Sequence, residues 1–246
     1  MRSKALVVLL YSLFIVIAFS GPVFAGNDIS LPSGFTQSEF DDLSRELGLA
    51  ISYVPLAPAA PLGLLGFDIG IEVTAANIDN NKSFWTNAIG KTPPSYLAFP
   101  KIHAQAGLPL GFDVGLVYAK APGTNIGLIG GELKWAILKG TIASPAVALR
   151  GDYTKLTGVS DIDMGVYGAD LSISKGFGFI TPFAGYGVVR ISSQDNRSNI
   201  AKLDSFNSNE SKGFVGIKFS AFIVSFVAEA DFSKVPSYSG RLNISF

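Results

Sequence analysis

Residues 66–75 read GFDIGIEVTA, placing Phe67, Ile69, Ile71 and Val73 in one register and Asp68, Gly70, Glu72 and Thr74 in the other. Successive side chains of a strand point to opposite faces, so a two-residue alternation separates two environments. The split recurs along the chain. Val147, Leu149 and Tyr153 oppose Arg150, Asp152 and Thr154, and Phe226, Ala228 and Phe232 oppose Ser225, Glu229 and Asp231. This period predicts strands near 66–78, 96–106, 112–119, 126–137, 146–154, 164–174, 181–192, 213–219, 224–232 and 240–246. That is about ten strands, within a range of eight to twelve. Pro100 requires the second strand to begin at Lys101 or to carry a bulge, and Gly127, Gly130 and Gly131 leave the phase of the fourth open.

The connections alternate in length. Those at 107–111, 139–145, 175–180 and 220–223 are brief, while 79–95 and 193–212, the two longest, fall in the other set. Short turns at one end and longer loops at the other are the asymmetry of membrane-spanning barrels, and an even strand count leaves both ends of the sheet on the short-turn side.

Composition decides which face looks inward. The chain has 246 residues, 19 basic and 19 acidic, with charged residues only 15%, hydrophobic residues 48% and mean hydropathy +0.37. So few charges cannot cover the outside of a soluble barrel lined by aliphatic faces, whereas hydrocarbon can take up the apolar face. Tyr118, Trp135 and Tyr153 on that face suit the headgroup belts. The polar face is then the lumen, expected to collect Asp68, Glu72, Lys101, His103, Asp113, Glu132, Lys134, Arg150, Asp152, Asp170, Arg190, Lys218, Glu229, Asp231 and Arg241. The balanced charge offers no basic footprint for nucleic acid. Cysteine is absent, so no disulfide contributes.

At the N-terminus, Arg2 and Lys4 precede an apolar run over 5–19 and small residues around 22–25, the pattern of a signal peptide cut after Ala25. The expected organisation is a signal peptide over 1–25, a helix and linker over 26–64, and a barrel over 65–246. Residues 34–50, GFTQSEFDDLSRELGLA, break the two-residue period. Thr36 and Glu39 form a capping box, Phe35 and Phe40 a hydrophobic staple, and Phe40, Leu43, Leu47 and Ala50 follow at helical spacings. A short amphipathic helix is predicted, ending near Gly48 and lying near the short-turn, periplasmic end, as a plug or as a cap over the first strand. Segment 49–54 could instead add a strand. The stretch YVPLAPAAPLGLLG, with Pro55, Pro58 and Pro61, reads as an extended linker.

The chain ends SGRLNISF, with Leu242, Ile244 and Phe246 alternating up to the last residue. Together with the leader and the alternating strands, this resembles the Gram-negative outer-membrane β-barrel class. In that class such an ending resembles the signal read by the barrel-assembly machinery, so the resemblance implies Leu242, Ile244 and Phe246 as an assembly signal and an outer-membrane location. The stretch GLAISYVPLAPAAPLGLLGFDIGIEVTA is also similar to the N-terminal region of barrels of this kind. The motifs specify a class and no activity.

Chemistry is sparse. His103 is the only histidine, which excludes a His-rich metal site. The lipid A deacylase family places a serine two residues after its histidine on the lipid-facing surface. Here that position is Gln105, and the phase points His103 inward. Acidic pairs such as Glu229 with Asp231 read as members of a salt-bridge network with Lys101, Arg150, Arg190 and Arg241 rather than as acid–base or calcium sites. The expectation is an all-β transmembrane antiparallel barrel with no enzymatic activity, cofactor or metal. Its partners would be outer-membrane lipid and the assembly machinery, with no nucleic acid and a small-molecule ligand left open. A narrow or plugged conduit for a small molecule is the leading function. The alternatives are a non-conducting structural or surface-binding barrel and a soluble lipocalin-like barrel.

Overall fold

The computed structural model describes residues 28–121, 123–198 and 202–246; the leader expected over 1–25 lies outside them. Helix α1 (Gln37–Ile51) precedes ten strands. They are β1 (Phe67–Asn77), β2 (Tyr96–Gly107), β3 (Phe112–Lys120), β4 (Gly127–Lys139), β5 (Ala146–Thr157), β6 (Ile162–Ser174), β7 (Ile180–Asp195), β8 (Phe206–Ala221), β9 (Val224–Phe232) and β10 (Ser237–Ser245). A second short helix, α2 (Ser83–Ile89), sits between β1 and β2. Each strand pairs antiparallel with its chain neighbours, and β10 closes on β1.

The closing register sets Ile71 against Leu242 and Glu72 against Arg241. Phe67 and Phe246 exchange backbone hydrogen bonds of 3.0 and 2.9 Å, and their rings stack at 4.7 Å. The alternation reaches the terminus because the last strand has a partner along its whole length, and closure leaves no edge exposed.

The outer face is apolar. Ile69, Ile71, Leu116, Leu133, Leu149, Leu171 and Ile244 are all exposed there. Tyr96, Tyr118, Tyr153, Tyr167 and Tyr238 stand near the long-loop ends of their strands, and Phe67, Trp135, Phe219 and Phe246 near the short-turn ends. Two aromatic girdles around an aliphatic band are the exterior of an outer-membrane-type barrel. Among the described residues no helix is long and apolar enough to cross a membrane.

Three details differ from the sequence expectations. The two-residue run breaks near 193, yet β7 and β8 pair as far as Ser193↔Phe206, so the expected loop 193–212 shrinks to 196–205. Its polar outer residues, Gln194, Asn207, Asn209 and Ser211, stand above the apolar band on a hairpin held by its ladder bonds. Pro100 lies inside β2 without a register shift. Pairing of β2 with β3 starts at Lys101↔Ala119, so the missing N–H falls beyond that ladder. The bulge occurs in β4 instead, between Ala136 and Leu138.

The interior has two halves. Toward the long loops the inward side chains are apolar, including Leu97, Phe99, Val117, Leu128, Leu156, Met164, Val166 and Ile191. Toward the short turns they are mostly charged or polar, with apolar patches at Phe183, Phe214 and Val227 and at Ala146 and Ala148. The N-terminal segment occupies both halves.

Candidate functional site: the occupied lumen

Helix α1 lies in the long-loop half, which corrects the expected position at the short-turn end. Its start follows the capping pattern: Glu39 N donates to Thr36 Oγ1 at 3.3 Å, and Thr36 N donates to Glu39 Oε2 at 3.0 Å. Phe40, Leu43, Leu47, Ala50 and Ile51 are buried in the apolar socket. The polar ring expected at the lumen wall gives way here, because an apolar helix face can be buried only against an apolar wall.

Gly48 does not end the helix, which continues to Ile51. A Cβ at Gly48 would stand 2.6 Å from Ile191 Cγ2, so this glycine serves the close approach of α1 to β7. One turn above, Ser44 Oγ donates to Ser193 Oγ at 3.0 Å.

α2 closes over the helix from loop 78–95. Trp85 Nε1 donates to Glu46 Oε2 at 2.8 Å, and Asn87 Nδ2 donates to Glu39 Oε1 at 2.6 Å. Burial pushes the Glu46 carboxyl above its usual range. The Thr36 backbone N–H holds the Glu39 carboxyl below its own.

Below Ser52 the chain is an extended linker with no acidic or basic side chain before Asp68, and no strand forms over 49–54. The wall grips its backbone. Lys212 Nζ donates to Tyr53 O at 2.7 Å, Arg241 Nη2 to Leu56 O at 2.5 Å, and Lys134 Nζ to Pro58 O and Ala60 O at 3.1 and 3.2 Å. In the other direction Leu56 N donates to Glu229 Oε2 at 2.8 Å and Leu62 N to Asp113 Oδ1 at 3.1 Å. Pro55, Pro58 and Pro61 have no N–H to satisfy, which suits a segment passing a wall rich in donors. The linker leaves by the short-turn end, where a Cβ on Gly107 would meet Gly63 O at 1.9 Å.

The wall charges also pair with one another. Lys101 meets Glu72 at 3.2 Å, Lys134 meets Asp113 at 2.9 Å and Lys212 meets Asp231 at 3.0 Å. Arg241 lies 3.6 Å from Glu72, Arg150 lies 3.3 Å from Glu132 and 3.6 Å from Asp170, and Lys218 lies 3.8 Å from Asp68. Several of these are strand neighbours directly opposite in register, such as Glu72↔Lys101, Asp113↔Lys134 and Arg150↔Asp170. The two-residue phase that aims each charge inward therefore also sets it beside its partner.

Of the residues expected in the lumen, Asp68, Glu72, Lys101, His103, Asp113, Glu132, Lys134, Arg150, Glu229, Asp231 and Arg241 are buried, and Asp152, Asp170 and Lys218 face inward half-buried. Arg190 is a correction: it is exposed on the outer face, between Tyr167 of β6 and Asn209 of β8. Inward neighbours on β7 are Val189 and Ile191, so the strand's apolar members there pack on the helix and its cation points out. The salt-bridge partners expected for Arg190 are thus out of reach. Lys212 was missed because its polar surroundings resemble a loop; only its spacing of two from Glu210 and Phe214 could have shown a strand.

His103 faces inward with neither ring nitrogen hydrogen-bonded, so no serine or carboxylate orients it as a general base. No cluster of three metal-ligating side chains occurs among the described residues. Buried polar atoms of Arg150, Glu229, Glu132 and Arg241 that make no hydrogen bond within the protein concentrate in the charged half. A cavity of about 20 Å³ between Tyr53, Asp152, Asp170 and Lys212 has room for one water molecule. A larger hollow of about 510 Å³, bounded by Val73, Ala75, Phe226, Ala228 and Gly240, lies on the outer wall and belongs to the lipid-facing surface.

No family model and no curated protein matches the chain. Among solved structures it is similar to the N-terminal β-barrel domain of Pseudomonas aeruginosa OprF, at 12% identity and TM-score 0.37, covering 75% of this chain and 99% of that one. It is also similar to Ail, the attachment invasion locus protein of Yersinia pestis, at 8% identity and TM-score 0.34, covering 74% and 99%. The translocator domain of the autotransporter NalP from Neisseria meningitidis gives 8% identity and TM-score 0.30, covering 85% and 96%. Likenesses this distant add nothing to what the chain's own geometry establishes: an antiparallel ten-stranded barrel of outer-membrane type whose lumen holds its own N-terminal segment.

Proposed function

We propose that the protein is an integral outer-membrane barrel closed at rest by segment 28–66, and a conduit for a small polar solute once that segment is displaced. The observation that carries this reading is the contrast between linker and wall. The linker carries no formal charge over 47–66, whereas the wall around it pairs its own charges. Removing the linker would therefore leave a polar, largely neutralised bore rather than a set of orphaned ions.

Export by a leader cut after Ala25 and insertion by the barrel-assembly machinery reading Leu242, Ile244 and Phe246 belong to the same proposal. The outward aliphatic band and the aromatic girdles support the outer-membrane location.

A second reading, a permanently closed barrel whose loops bind at the surface, draws on the depth of helix burial. Fully burying Phe40, Leu43 and Leu47 stabilises docking by about 1.5–3 kcal/mol each. Planar-bilayer recording separates the two. Wild-type protein should be silent, and the doubly substituted Leu43→Asp, Leu47→Asp barrel should carry current. Silence from that variant, with its barrel shown intact by heat-modifiable gel mobility, favours the closed reading.

A further inference from the structure

We propose that the chain reaches the cell exterior at its N-terminal end: segment 28–66 runs through the lumen as an additional crossing of the outer membrane, and Asp28 is presented among the long loops. This rests on the outer-membrane placement proposed above and concerns a different property, the direction of the threaded segment.

Four of the long-side loops clasp the start of the described chain. From loop 121–126, Asn125 accepts from Ile29 N and donates to Ile29 O, both at 3.0 Å. From 78–95, Ala88 O accepts from Ser30 N at 3.0 Å. From 158–161, Asp161 Oδ2 accepts from Leu31 N at 2.9 Å. Beyond β7, Arg197 Nη1 donates to Pro32 O at 2.8 Å while its guanidinium is held by Asp195. The direction from there is fixed. Ser44 meets Ser193, Gly48 meets Ile191 lower on β7, and Leu62 meets Asp113 at the short-turn end of β3. An ordered strap on this mouth holds Asp28 on the long-loop side. The charge-free linker suits such passage, since no ion of its own must cross the hydrocarbon level.

The chain contains no cysteine, so single substitutions report without background. Asp28→Cys, Ser160→Cys in a long-side loop and Ile142→Cys in a short-side turn would each be exposed to a membrane-impermeant maleimide on intact cells, before and after outer-membrane permeabilisation. The expected result is that Asp28→Cys labels with Ser160→Cys on intact cells, and Ile142→Cys only after permeabilisation. Asp28→Cys labelling together with Ile142→Cys overturns the threaded direction and leaves the outer-membrane placement standing. Loss of any difference between Ser160→Cys and Ile142→Cys overturns the placement itself, and the proposal with it.

Discussion

The two halves of the lumen hold the same segment by opposite means. Near the long loops, α1 is seated by apolar side chains in an apolar socket, with side-chain polar contacts to Ser193, Trp85 and Asn87. Near the short turns, the linker is held chiefly by its backbone, through lysine, arginine and carboxylate groups, with Val54 and Leu56 packed on Phe183, Phe214 and Val227. The socket selects a particular helix; the charged bore selects an extended, charge-free chain. Side-chain specificity is therefore greater in the upper half, where the apolar cluster is larger, than in the lower.

The largest effect should come from placing a charge in the socket. Leu43→Asp buries a carboxylate without a partner and should cost at least about 4 kcal/mol of docking, read as release of residues 28–51 to limited proteolysis while the barrel stays resistant. A cost near zero would mean that the upper half admits water as freely as the lower.

Next comes Lys134→Met, which strips Asp113 of its cation and leaves Pro58 O and Ala60 O unbonded. In a dry interior, breaking such a pair costs about 3–5 kcal/mol. With water able to replace it, the expected loss in urea unfolding is about 1–2 kcal/mol. A loss as large as that of Leu43→Asp would erase the distinction between the halves.

Gly48→Ala sharpens the geometry of the socket. Its methyl would press on Ile191 at 2.6 Å, an overpacking of about 1–3 kcal/mol. Combining it with Ile191→Ala should cost clearly less than the two single changes summed, as a double-mutant cycle of unfolding would measure.

The smallest effect is that of pH on the helix face below α2. Glu46 has a raised carboxyl pKa, so its contribution is present below the ordinary value of 4.5 and is lost as pH rises through the raised one. Glu39 is lowered, so its contribution is present above 4.5 and is lost as pH falls through the lower value. Glu46→Gln should therefore strengthen docking slightly at neutral pH and flatten the Glu46 part of the profile. An unchanged proteolysis profile between acid and neutral pH would remove Glu46 from the account.

Much of the barrel could be read from the order of residues. The period in GFDIGIEVTA, the C-terminal Leu242, Ile244 and Phe246, and the Thr36–Glu39 capping box each state a local preference that the fold keeps. The alternation failed where both faces meet something other than lipid and water. Val189 and Ile191 read as ordinary strand residues, and Arg190 between them read as lumen, because a wall that turns apolar to receive a helix looks locally like a wall that faces hydrocarbon. Lys212 was hidden for the converse reason, since a strand rising above the membrane band is polar on its outer face and resembles a loop.

Residue order alone specifies an antiparallel sheet of about ten strands, its apolar and polar faces, and an amphipathic helix ahead of it. Those are properties of neighbours two, three or four residues apart. Packing between distant parts of the chain fixes which end of the bore the helix fills, that the linker runs through the charged half, and which charges meet. The course of the helix and linker depends on contacts between residues more than a hundred positions apart, such as Leu56 with Glu229 and Leu31 with Asp161, and most of the charge pairs on the register between neighbouring strands. Local periodicity carries no information about such pairs, because they exist only once the sheet has closed around the segment.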